Sequence, residues 1–133
     1  MDNERRKRIY TVLVVDDEEI IRWVVRARLE KTGMFTVIEA ESGEEAIRFV
    51  KITRPDVMII DYTMPGMDGI MLFATLAASE DISDIPVLFF SSDAAIVREK
   101  LQRTGISVPC VGKDRLSEIA GHVKRLLGID DGG

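Results

Sequence analysis

The residues with chemical potential in this sequence are Asp16-Asp17-Glu18-Glu19, a lone Asp61, Ser91-Ser92-Asp93, and Lys113. Each group follows a short apolar stretch of the kind that forms a strand. Acids at a helix start complement the helix dipole, which suffices for Glu18 and Glu19. Two adjacent aspartates directly after a buried strand need more. Like charges ~4 Å apart repel by ~4 kcal/mol at an effective dielectric of 20. A cation relieves that repulsion, and a hard, oxygen-liganded one such as Mg²⁺ fits best. Asp16, Asp17, Asp61, Ser91 and Lys113 together offer three carboxylates, one hydroxyl and one ammonium. That set suits a metal and an anion side by side.

These side chains can meet only if the intervening elements align their strand ends. Val57 to Ile60 is an unbroken apolar run, the expected form of a parallel strand covered on both faces, with Asp61 at its carboxyl end. Pro65-Gly66 has the signature of a type II turn, and Asp68 suits a helix N-cap. Other strands are expected over Tyr10–Val15, Phe35–Ala40, Val87–Phe90 and Val108–Val111, the last an edge strand because it contains Pro109. Helices are expected over about Glu19–Lys31, from a Ser42/Glu45 capping box to Thr53, over Gly69–Ala78 and Ala94–Thr104, and from an Asp114 cap to Leu127. On the first helix Ile21, Val24, Val25, Arg28 and Leu29 share one side, with the arginine at its edge. Trp23 falls off that face, where it either covers a neighbouring helix or anchors a partner. Five strands alternating with five helices imply an α/β fold, a single five-stranded parallel sheet with helices on both faces. Open sheets of this type bind ligands at the carboxyl ends of their strands.

Composition narrows the function. The 133 residues carry a formal charge of −5, which argues against direct nucleic acid binding. A single cysteine excludes an internal disulfide, and the chain lacks a cysteine/histidine cluster for zinc. Neither a membrane span nor a secretory leader is legible, so a cytoplasmic setting is expected. Cys110 reads as packing rather than as a redox thiol. His122 reads as structural or solvated.

The set of strand-end residues resembles the receiver domain of two-component response regulators. Its most specific part is Asp61 through Gly69, which matches the family's D-x-x-M-P-x-M-D-G pattern at every fixed position. The acid pair followed by Glu18 and Ile21-Arg22 is similar to the family's opening. The resemblance implies a flavodoxin-like strand order 2-1-3-4-5. It divides the chain into a flexible amino-terminal arm (1–9), a receiver domain (10–128) and a tail or linker start (129–133). It further implies that Asp61 accepts a phosphoryl group from a sensor histidine kinase or a histidine phosphotransfer protein. In the same way Asp17 resembles a direct Mg²⁺ ligand, Asp16 one able to act through water, and Thr63 a main-chain carbonyl ligand. Ser91 resembles the hydroxyl, and Lys113 the ammonium, that bind the phosphoryl oxygens. Thr63 and Asp93 match positions that set how fast that group is lost. Such a domain is a signalling switch rather than an enzyme, with a phosphorylation-dependent dimer as one form of output.

Two positions depart from the family. Its lysine is usually followed by a proline, often after a cis bond, whereas Asp114 follows Lys113 here and a trans bond is expected. An aromatic residue usually stands three places before the lysine, where Cys110 stands, so the aromatic part of the switch is expected to be missing. The stretch from Gly105 to Lys113 is also one residue longer than usual. These departures support an alternative, a degenerate receiver acting as a binding module without phosphorylation. A phosphatase of the haloacid dehalogenase kind also uses a strand-end aspartate, but its D-x-D pattern fails at Glu18. The chain is either a stand-alone receiver or the receiver part of something longer.

Overall fold

The computed structural model describes residues 8–80 and 82–129. Of the expected arm only Arg8 and Ile9 are included, and of the expected tail only Ile129; the remainder of both lies outside the described residues. Arg8 pairs with Asp56 at 2.8 Å and stacks over the Tyr10 ring.

Strands and helices alternate as β1 (Tyr10–Val15), α1 (Glu19–Glu30), β2 (Phe35–Ala40), α2 (Gly43–Thr53), β3 (Val57–Asp61), α3 (Gly69–Ala77), β4 (Val87–Ser91), α4 (Ala94–Thr104), β5 (Cys110–Gly112) and α5 (Ile119–Leu127). The strands form one parallel sheet in the order β2-β1-β3-β4-β5. Successive side chains of a strand point to opposite faces, and the core divides accordingly. Leu13, Val15, Met58, Ile60 and Phe89 pack with Ala46, Val50, Leu72, Leu76, Val97 and Leu101 of α2, α3 and α4. Val12, Val14, Ile59, Leu88 and Phe90 pack with Val25, Leu29, Ile119 and Val123 of α1 and α5. Fully burying one such side chain contributes ~1.5–3 kcal/mol, so both faces hold the sheet firmly.

Local signals act where expected. Ser42 accepts from the Glu45 N–H, and Asp68 caps α3 by accepting from the Met71 N–H. Gly66 has φ +73°, as the turn requires.

Three expectations near the ends of elements are corrected. Strand β5 covers Cys110–Gly112, not Val108–Val111; Pro109 has no N–H to donate, and its carbonyl accepts from Phe89 at the sheet edge. The last helix starts at Ile119. Asp114 does not cap it, because Lys113–Glu118 forms a 3-10 segment bent at Arg115, and the Asp114 carboxylate folds back over Gly112. On α1 the buried arginine is Arg22, whereas Arg28 is exposed. Trp23 keeps 53 % of its surface exposed, one turn from the exposed Ile20. The Lys113–Asp114 peptide is trans, as expected.

Candidate functional site at the carboxyl edge of the sheet

Strand register sets the height of each chemical group. Val15 of β1 pairs with Ile60 of β3, so Asp16 and Asp61 end neighbouring strands at the same level. Asp61 pairs with Phe90 of β4, and Ser91, one residue on, pairs with Gly112 of β5. Lys113 is the next residue. The carboxyl ends of four strands therefore deliver all these groups to one edge of the sheet.

Four acids meet there. Carboxylate oxygens of Asp16, Asp17, Glu18 and Asp61 lie within 4.8 Å of one another. Asp16 and Asp61 are buried, while Asp17 and Glu18 are exposed. Lys113 spans the group: its Nζ lies 2.9 Å from Asp16 Oδ2, 3.3 Å from Glu18 Oε2 and 3.4 Å from Asp61 Oδ2. The other Asp61 oxygen accepts from the Thr63 N–H at 3.2 Å, and Asp16 Oδ1 accepts from the Glu18 N–H at 2.9 Å. The Ser91 hydroxyl accepts from the Asp93 N–H at 3.0 Å. Glu18, expected only to complement the helix dipole, thus belongs to the cluster and shares Lys113.

Burial, then the charge of Asp16, pushes the Asp61 carboxyl up to about 7, against the opposing pull of Lys113 and the Thr63 N–H. Burial alone would lower the Lys113 ammonium, but pairing with Asp16, the charge of Asp61 and contact with Glu18 outweigh it and raise the group. Burial also pushes the Cys110 thiol up, away from reactive thiolate, and its carbonyl accepts from Arg98 Nε at 3.2 Å.

Asp16 Oδ2 tests whether a cation suits the cluster. Among the described residues it is buried without a hydrogen bond, and Lys113 Nζ lies 2.9 Å away as an ion pair. Four acids facing one ammonium leave an excess of negative charge beside this oxygen. Hard oxygen donors in such a group are what Mg²⁺ takes. The residues fit.

The response regulator receiver domain model matches residues 12–108. The chain belongs to that family. Transcriptional regulatory protein YvrH of Bacillus subtilis is 38% identical to this receiver over 87 residues, covering 63% of this chain and 35% of that protein. Chemotaxis protein CheY-3 of Vibrio cholerae is 34% identical over 83 residues, covering 62% of this chain and 64% of its own. The crystal structure of the signal receiver domain of a histidine kinase from Syntrophus aciditrophicus superposes with TM-score 0.77 at 32% identity, covering 90% of both chains. The receiver thus spans between 35% and 64% of these two curated relatives. Receiver domains are signalling domains of two-component systems; they bind Mg²⁺ at an acidic pocket and interact with histidine kinases or phosphotransfer proteins. No helix among the described residues is long and apolar enough to cross a membrane. The family match ends at residue 108, ahead of Cys110, Lys113 and Asp114.

Proposed function

We propose that this receiver is a phosphorylation-dependent switch in which Asp61 accepts a phosphoryl group from a phosphohistidine. The observation that carries this reading is the meeting of Asp61 with Asp16, Asp17 and Lys113 at one sheet edge. An Asp61 oxygen forms a bond to phosphorus as the phosphorus–nitrogen bond to the donor imidazole breaks. The electron pair stays on the imidazole nitrogen, which is then protonated, and an aspartyl phosphate remains. Carboxylates serve as nucleophiles in such transfers.

Asp16, Asp17, Asp61 and the Thr63 carbonyl would hold Mg²⁺, which when bound offsets charge on the phosphoryl oxygens. Lys113 pairs with one phosphoryl oxygen, exchanging its contact with Asp61 for the new anion. Ser91 donates its hydroxyl to another. With Cys110 where the family carries an aromatic ring, the signal passes through Ser91 and backbone shifts. The phosphodonor is a sensor kinase or phosphotransfer protein, the setting is cytoplasmic, and dimerisation is one form of output.

Acetyl phosphate with Mg²⁺ tests this reading, followed by intact-mass measurement and size-exclusion elution. The wild type is expected to gain one phosphoryl group and Asp61→Asn none. A wild type that gains nothing would support the degenerate alternative suggested by Cys110 and Asp114.

A further inference from the structure

We infer that Arg22 is a positioning residue for the divalent cation, acting through the backbone of Asp16. This rests on the reading that Asp16 and Asp17 hold the ion. Arg22 is only 8% exposed, unusual for an arginine on the first turn of a helix. Its guanidinium reaches two acceptors from different parts of the sheet: Nη1 donates to the Asp16 carbonyl, just beyond β1, at 2.8 Å, and Nε to Glu39 Oε1 on β2 at 3.0 Å. Glu39 is itself held by Arg26, which donates also to the Val37 carbonyl. Asp16 is therefore fixed on every side. Its N–H donates to the Ala40 carbonyl, its carbonyl accepts from Arg22, and its Oδ1 accepts from Glu18. Its Oδ2 faces the acid cluster, where it is ion-paired with Lys113 Nζ.

Arginine suits this place because its planar fork serves two acceptors at fixed angles, which a lysine point charge cannot. Groups that orient metal ligands typically change affinity about 10- to 100-fold when removed.

Charge and position predict opposite signs here. As a bare cation, Arg22 repels a divalent ion, so neutralising it would tighten binding. As the clamp on the Asp16 turn, its loss loosens the ligands and weakens binding. Arg28 provides the comparison, since it carries the same charge on the same helix but is exposed and away from the Asp16 turn.

The experiment is calorimetric titration of the metal-free protein with Mg²⁺ alone, with folding checked by circular dichroism. Arg22→Gln is expected to weaken binding about tenfold, equivalent to ~1.4 kcal/mol. Arg22→Lys should fall between it and the wild type, and Arg28→Gln should leave affinity unchanged. Unchanged or tighter binding by Arg22→Gln overturns the inference while leaving the metal reading intact. A wild type that takes up no Mg²⁺ overturns both. Should the Arg22 variants fail to fold, the wild type decides: the Arg22 Nε–H resonance in ¹⁵N NMR should shift on Mg²⁺ titration with the affinity of the Asp17 amide. No shift at Arg22 overturns the proposal.

Discussion

An ionised Asp61 is unfavourable when no cation is bound. Burial and the charge of Asp16 raise its carboxyl to about 7, while an aspartate in an unfolded chain titrates near about 3.9. The folded protein therefore holds this proton more tightly than the unfolded one. The associated stability is fully present below about pH 4 and is lost as the pH rises through about 7. Asparagine in that place never ionises. In EDTA, Asp61→Asn should exceed the wild type in stability by ~2–4 kcal/mol at pH 8, with the difference nearly gone at pH 4. Urea denaturation at the two pH values measures this. Equal gains at both would show that the charge on Asp61 is not the source. The neighbouring residues offered unequal clues in the sequence. Asp61 was legible because a buried apolar run ends on it. Arg22 was not, because its charge argues for exposure although it shares a helical stripe with the buried Val25 and Leu29; its partners, Glu39 on β2 and the Asp16 carbonyl just beyond β1, are distant in sequence from each other.

At the scale of elements, the passage from β3 to α3 shows how local chemistry holds the site. The Gly69 N–H donates to the Tyr62 carbonyl, and Asp68 caps the helix that follows. A Cβ on Gly69 would come within 2.6 Å of the Asp61 carbonyl oxygen and 2.8 Å of the Tyr62 Cα, both backbone atoms. Helix propensity alone favours alanine over glycine by ~1 kcal/mol. The clash outweighs it, so Gly69→Ala should lower stability by a net ~2 kcal/mol and slow phosphorylation by displacing Asp61. A neutral or raised urea midpoint would show that the loop can yield. Because turn and cap residues act on their immediate neighbours, this loop could be read from the sequence. The segment after β5 could not. Lys113–Glu118 is shaped by contacts of Lys113 with acids from two other strands and by Asp114 lying on Gly112, none of which a local pattern encodes.

Across the whole molecule, two packed faces keep the sheet rigid while its edge gathers like charges that oppose folding. Mg²⁺ bound there would couple local electrostatics to global stability. A ligand that binds only the folded state adds about 2.7 kcal/mol at a hundredfold excess over Kd, which raises the thermal midpoint by several degrees. The size of that rise should depend on pH in a defined direction. At pH 8 Asp61 is already ionised and ready to ligate, so Mg²⁺ acts in full. At pH 5 the ion must displace the Asp61 proton, because the folded carboxyl titrates near about 7, and the apparent affinity falls. Thermal melts with and without Mg²⁺ at both pH values should therefore show a large rise at pH 8 and a small one at pH 5. Asp17→Asn should blunt the rise at pH 8, since Asp17 is exposed and its loss removes a ligand without opening the core. Equal rises at both pH values, or an undiminished rise in Asp17→Asn, would place the stabilising ion elsewhere on this acidic chain.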